Sequence, residues 1–345
     1  MNYADAYLER LYEGAERRHS VRGALRGGTA LEAWREGLLA ALPGALGREP
    51  EDVAPNANVL ETTELYDDAK HINYTRIKLL YDSEAALTTI AYLLIPKGLE
   101  GPAPAVVACT GHGYGVRDIV GLREDFSERD GESTYQKDFG LELVRRGYAV
   151  IAPEPVGFGE LRLSSDVAQD KGNSCDRISD NLLLVGRTMM GARVRQYRVA
   201  TTILAGLEEV DETRIGAMGI SGGGLTSAFL TMTDARIKAL VCSGYPCLYK
   251  DSIYAMYHCV DNFPFGLLNL AECDDLMALI APRPQLWESG SRDPIFPRAG
   301  VREAEKTVRS VYEALEVGDR FDVDYFEGEH EISGRKAYDF FAKYL

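Results

Sequence analysis

The spacing of apolar residues divides the chain into three stretches with different periods. From residue 1 to about 47 the period is helical: Tyr3, Tyr7, Leu11 and Tyr12 recur on one face. Leu31, Trp34, Leu38, Leu39 and Leu42 make a second amphipathic run that Pro43-Gly44 is expected to end. From about 57 to 95 the pattern shifts to period two. Thr75–Tyr81 and Thr88–Ile95 alternate and are rich in β-branched residues, so they predict an antiparallel hairpin turning at Asp82-Ser83-Glu84.

Beyond Pro96–Pro104, a surface loop by composition, short wholly apolar runs alternate with helical patterns. The runs are Ala105–Cys109, Tyr148–Ala152, Ile215–Ile220, Ile237–Cys242, a strand after Ala281-Pro-Arg-Pro, and Phe321–Phe326. The helices are Phe139–Arg146 with Gly147 after it, Thr188–Val210, one from Leu225, Glu303–Leu315 and Arg335–Tyr344. Strands without alternation are buried on both faces, which calls for a mainly parallel sheet covered by helices. The expected class is therefore α/β, as one domain over 1–345. Residues 1–50 would form a helical arm. Polar or aromatic stretches at about 113–136, 160–185 and 245–278 would be insertions over the sheet edge. The arm packs on the core or pairs with a second copy, so a homo-oligomer stays open.

The candidate chemistry centres on Ile215–Leu225. A strand stops at Ser221, three glycines follow, and a helix begins. Gly219, Ser221 and Gly223 fill G-x-S-x-G, the nucleophile elbow of α/β-hydrolases. With 34 Gly in 345 residues, both glycines flank a given serine about once in a hundred by composition alone, so the strand before and helix after carry the weight. A serine hydroxyl needs a base and a group to orient that base. In this fold the order along the chain is Ser, acid, His. Of five histidines only His258 and His330 follow Ser221. His258 sits in an aromatic stretch and reads as lid lining or structure. His330 follows a strand and is the expected base. Asp293, in the tight loop Ser289-Gly-Ser-Arg-Asp-Pro, is the expected acid, with Glu288 the runner-up. The oxyanion hole needs two N–H groups. Gly222 supplies one. The loop Thr110-Gly-His-Gly-Tyr-Gly115, at a strand C-terminus where α/β ligand sites lie, supplies the other through His112 or Gly113. Tyr114, His258 and Glu154 are further candidates for substrate binding, and Glu154 reads equally as a structural carboxylate.

Charge and composition then remove alternatives. A formal net charge of −15 argues against nucleic acid as a partner. No run approaches the roughly 18 apolar residues of a membrane span. The N-terminal ten residues lack the basic and apolar regions of a signal peptide, so a cytoplasmic location is expected. The six cysteines (109, 175, 242, 247, 259 and 273) show no metal-ligand spacing, and Cys109 and Cys242 fall in core strands. No metal or cofactor is expected.

Gly111-His-Gly, Ala152-Pro-Glu-Pro-Val-Gly-Phe-Gly-Glu160, Gly219-Ile-Ser-Gly-Gly-Gly224, Ile280-Ala-Pro-Arg-Pro284, Glu288–Pro297 and Glu327-Gly-Glu-His-Glu331 resemble, in order, the acetyl xylan esterase and dienelactone hydrolase-like branch of the α/β-hydrolases. The resemblance spans 105–345. It implies a Ser221–His330–Asp293 triad, esterase chemistry without a cofactor, and a small-molecule ester substrate with a small acyl group such as acetyl. Dienelactone hydrolases proper use a cysteine nucleophile, so Ser221 points away from that reaction. A peptidase or thioesterase would use the same triad, and an idle triad would leave a binding protein.

Overall fold

The computed structural model describes residues 3–26, 30–67 and 71–345. Residues 1–2 and 27–29 of the expected arm, and 68–70 ahead of the hairpin, lie outside them. The chain opens with α1 (Tyr3–Glu13), α2 (Val21–Ala24) and α3 (Ala30–Leu46), then β1 (Asn58–Asp67), β2 (Ile72–Glu84) and β3 (Leu87–Pro96). The alternating part runs β4 (Ala103–Cys109), α4 (Phe139–Val144), β5 (Ala149–Pro153), α5 (Ser164–Val167), α6 (Cys175–Leu184), α7 (Met189–Ala205) and β6 (Val210–Ile220). It continues with α8 (Gly222–Thr233), β7 (Ile237–Ser243), α9 (Leu267–Leu270), α10 (Cys273–Ala278), β8 (Gln285–Gly290), α11 (Arg298–Ala314), β9 (Phe321–Phe326) and α12 (Ala337–Tyr344).

The strands form one sheet in the order β1-β2-β3-β5-β4-β6-β7-β8-β9. β1, β2 and β3 pair antiparallel, as do β3 and β5; β5, β4, β6, β7, β8 and β9 are parallel. Val106, Met218 and Val241 face one core with Phe341 of α12, whereas Val107, Ala217 and Leu240 face the other with Phe229 of α8 and Leu38 of α3. Both faces are thus sealed, as the unbroken apolar strands require. Because the strands are parallel, the segments after β4, β6, β8 and β9 all leave from one edge. Among the described residues no helix is long and apolar enough to cross a membrane.

Several boundaries differ from the sequence expectation. β1 is unanticipated: it is a mostly exposed edge strand, so neither face imposes a strong alternation. The hairpin turns at Ala85-Ala86, because Asp82 and Glu84 are strand residues held by partners. Thr88 Oγ1 and Asn56 Nδ2 donate to the Asp82 carboxylate, and Arg187 forks onto Glu84 at 2.7 Å on both arms. α3 runs through Pro43 to Leu46. Proline removes the bond to residue 39, but buried Leu42 and Ala45 hold the last turn down, and Thr188 Oγ1 donates to the Leu46 carbonyl at 2.6 Å. α7 stops at Ala205, and Val210 instead begins β6, where it pairs with Ala103.

Candidate active site

β6 ends at Ile220 and the chain reverses at Ser221, whose φ and ψ are 59° and −124°. Such a backbone costs about 1–3 kcal/mol and persists only where its surroundings enforce it. The enforcement is steric: a Cβ on Gly223 would lie 1.9 Å from the Cys109 carbonyl oxygen, and one on Gly219 would lie 2.2 Å from the Gly223 carbonyl oxygen. Only glycine lets the helix press this closely against β4 and β6. Ser221 N donates to the Ser243 carbonyl at 3.0 Å, and Leu225 N to the Ser221 carbonyl at 2.9 Å. The helix therefore starts at Gly222, not Leu225. The glycines are its first turn, whose N–H groups have no intrahelical acceptor.

Ser221, Gly222, His112, His258 and His330 border one cavity of about 400 Å³. A larger cavity of about 510 Å³ lies between α3 and α7. Its walls carry several arginines and no serine or histidine, whereas the smaller one gathers the candidate nucleophile Ser221 and three histidines. His330 is held from three sides. Its Nδ1–H donates to Asp293 Oδ2 at 2.8 Å, and Tyr135 and Phe296 lie nearly parallel to its ring at 5.7 Å each. Asp293 is aimed in turn by the N–H groups of Ile295 and Phe296, which both donate to Oδ1 at 3.0 Å. With Nδ1 protonated, Nε2 carries the lone pair; it is buried and has no hydrogen-bond partner among the described residues.

Glu288, the alternative acid, is elsewhere engaged. It accepts from Ser243 Oγ (2.7 Å) and from the N–H groups of Ser333 (3.1 Å) and Gly334 (2.8 Å), so it fastens the turn after His330 to the sheet. Burial pushes its carboxyl above the usual range.

The glycine loop after β4 is fixed by the segment that reads as polar and irregular. Gln136 Oε1 accepts from Gly111 N (2.7 Å) and Thr110 Oγ1 (3.1 Å), and its Nε2 donates to Asp118 (2.8 Å). Arg129 and Thr134 also donate to Asp118, at 3.0 and 2.8 Å. Tyr135 OH donates to the His112 carbonyl at 2.6 Å. Charges that suggest a solvated loop thus form a buried network under the site.

The remaining candidates separate. His112 borders the cavity; exposed Gly113 does not, and the direction of its missing Cβ leads to Asp118. Tyr114 is likewise not a lining residue; its hydroxyl donates to the Leu122 carbonyl at 3.0 Å. Glu154 is fully buried behind the loop, accepts from Val116 N at 2.9 Å, and is pushed up to about 7 by burial. It acts as a brace, the second of the two roles its position allows. His258 lines the cavity, hydrogen-bonds Ser252 Oγ at 3.1 Å, and is held below the usual histidine range by burial.

Sequence reasoning passed over Tyr135, Phe296, Cys259 and the pair Arg193–Asp261. Phe296 lies three residues beyond Asp293 in the same recognisable segment and was within reach; nothing local marks the others. Arg193 Nη1 donates to Asp261 at 2.5 Å with both side chains buried. Burial opposes ionisation of Asp261, but Arg193 and His112 outweigh it and hold the carboxyl below the usual range. Beside them, a hydrogen bond from Cys259 and the Arg193 charge pull the Cys175 thiol down, and the same bond pushes Cys259 up.

No protein-family model matches the chain. A relative from Bacillus subtilis (strain 168), "Putative hydrolase YtaP", is 30% identical over 260 residues, which is 73% of this chain and 80% of that protein. The chain belongs to this hydrolase family. Its fold recurs in a Bacteroides fragilis NCTC 9343 structure described as a "putative acetyl xylan esterase", with TM-score 0.78 and 16% identity over 94% of this hydrolase and 83% of that chain. A glucuronoyl esterase from Solibacter usitatus gives TM-score 0.63 at 16% identity, covering 89% and 90%. Acetyl xylan esterase 1 from Thermoanaerobacterium sp. JW/SL YS485 gives 0.55 at 18%, covering 90% and 92%. At these identities the likeness is one of fold: this hydrolase shares the mixed α/β architecture of those structures.

Proposed function

We propose that this hydrolase is a serine carboxylesterase working through Ser221, His330 and Asp293. The observation that carries the reading is His330 bound to Asp293 through Nδ1, with its bare Nε2 buried at the cavity that Ser221 borders. His330 Nε2 takes the Ser221 proton as Oγ attacks the ester carbonyl, and then returns that proton to the departing alcohol oxygen. Water, deprotonated by the same nitrogen, cleaves the acyl-enzyme and releases the acid. Asp293 keeps the imidazole in the tautomer with Nε2 free and stabilises the imidazolium. The developing oxyanion is met by the N–H of Gly222 and, on the glycine loop, by that of His112, whose carbonyl Tyr135 holds.

The substrate class follows the company the fold keeps. The structural neighbours described as acetyl xylan and glucuronoyl esterases support a small ester, such as an acetyl ester of a sugar. Wild type is expected to hydrolyse p-nitrophenyl acetate and to be labelled at Ser221 by a fluorophosphonate. Ser221→Ala should lower kcat by about 10⁴-fold or more. A variant that hydrolyses as fast as wild type would end this assignment.

A further inference from the structure

The cavity wall holds a side-chain cluster that ester hydrolysis does not use. His112 comes from the loop after β4, Cys175 opens α6, and Cys259 lies in the 245–278 segment. A ring nitrogen of His112 and both Sγ atoms all lie within 4.8 Å of one another. His112 Nε2 is buried and has no hydrogen-bond partner among the described residues, and Asp261 Oδ2 lies 3.9 Å from it. The proposed chemistry needs only the main chain of His112, so its ring is free for another purpose.

On a tetrahedral zinc ion, with bonds of about 2.3 Å to sulfur and about 2.0 Å to nitrogen, ligand atoms sit roughly 3.5–3.8 Å apart. Side-chain rotations of about 1 Å would therefore close these atoms around a cation. The charges also balance. Two thiolates and the Asp261 carboxylate set against Arg193 leave −2, which a divalent ion neutralises. Arg193 Nη2 already donates to Cys175 Sγ at 3.2 Å and to the Val156 carbonyl at 3.1 Å, the outer-shell support that a metal-bound thiolate takes. Sulfur and imidazole ligands select a thiophilic ion over magnesium or calcium.

We propose that His112, Cys175 and Cys259, with the Asp261 carboxylate beside them, form a binding site for a thiophilic divalent cation of the zinc class. Each Sγ gives up its proton to solvent as its bond to the metal forms. The bound ion ties the 110 loop, α6 and the 245–278 segment together beside Gly222.

The test uses metal-free, reduced full-length protein titrated with cobalt(II) and then zinc(II). A thiolate-to-cobalt charge-transfer band saturating at one ion per chain, and displaced by zinc, is expected. Cys175→Ser and Cys259→Ser should each lose the band and weaken zinc binding more than tenfold, the least expected even for an outer-shell partner. Ser221→Ala should bind as wild type does. In wild type, zinc should protect the half-buried Cys259 from alkylation, read by peptide mass spectrometry, so the outcome does not depend on variant folding. No cobalt–thiolate band in wild type, unchanged zinc affinity in both serine variants, or undiminished alkylation of Cys259 would each overturn the site.

Discussion

Replacing Asp293 by asparagine changes one atom and reverses a hydrogen bond. Asn Nδ2 donates to His330 Nδ1, which moves the ring proton to Nε2 and removes the base that the proposed mechanism requires. Loss of the correct tautomer costs about 10⁴-fold in kcat in the general Ser-His-Asp template. Asp293→Asn should therefore lower kcat for p-nitrophenyl acetate by about 10³- to 10⁴-fold, with the melting temperature nearly unchanged. Glu288→Gln tests the rival acid: a larger loss of kcat there than in Asp293→Asn would transfer the role. Glu154 gives a different readout, since it braces the loop and touches no substrate. Its carboxyl moves from the ordinary 4.5 to about 7 on burial, so the folded state binds that proton more tightly than the unfolded chain. The resulting stability is full below pH 4.5 and is lost as the pH rises through about 7. A shift of that size corresponds to about 3 kcal/mol. In urea denaturation across this window, the stability of Glu154→Gln relative to wild type should rise by about that amount. A flat difference would mean that the buried carboxylate ionises at no cost.

The loop after β4 is positioned by another element, the 117–136 segment, so damage to that segment should appear in catalysis. Gln136→Ala strands Gly111 N and one oxygen of Asp118 without their present partner. Each unsatisfied buried group costs about 1–3 kcal/mol, and the loop should lose its fixed N–H directions. The expected outcome is a lower kcat with KM for a small ester little changed, together with a lower urea midpoint. An unchanged kcat would mean that Tyr135 alone holds the loop. What the sequence could reveal follows from the same contrast between local and distant causes. The elbow strand and the glycines after it announce themselves because their constraint lies within a few residues. Parallel strands such as Ala105–Cys109 are legible because burial on both faces leaves an unbroken apolar run. Asp118, Arg129 and Gln136 read as solvated because their partners are each other, 11 and 18 residues apart, and a loop that Gln136 reaches across 25 and 26 residues. Pro43 reads as a stop because proline's local cost is visible, whereas the packing of Leu42 and Ala45 is not. β1 is missed because an exposed edge strand needs no apolar face.

At the scale of the molecule, the question is whether the N-terminal helices ride on the sheet or belong to it. Leu38 and Leu42 of α3 are fully buried in the same apolar cluster as Phe229 of α8 and Trp287 of β8. Polar ties reinforce this. Phe265 N donates to the Ala45 carbonyl at 2.8 Å, His19 N to the Leu270 carbonyl at 2.8 Å, and Val21 N to Asp275 Oδ1 at 2.7 Å. Arg195 on α7 reaches Asp52 beyond α3 at 2.5 Å. The arm is thus bonded to α7 and to the 245–278 segment, which also supplies the cavity wall. The chain's two tryptophans stand on either side of the question, Trp34 in α3 and Trp287 in the sheet. Trp34→Phe and Trp287→Phe variants therefore each leave a single reporter. If arm and sheet unfold as one unit, the two fluorescence transitions in urea should coincide. Leu38→Ala, which leaves a cavity in the shared core, should move both by the same amount, at a cost of about 2–5 kcal/mol. Its kcat measured well below the transition should match wild type, because Leu38 borders no part of the cavity that Ser221 lines. A separate, earlier transition seen only by Trp34, or a Leu38→Ala effect confined to that reporter, would show an arm that folds on a finished core.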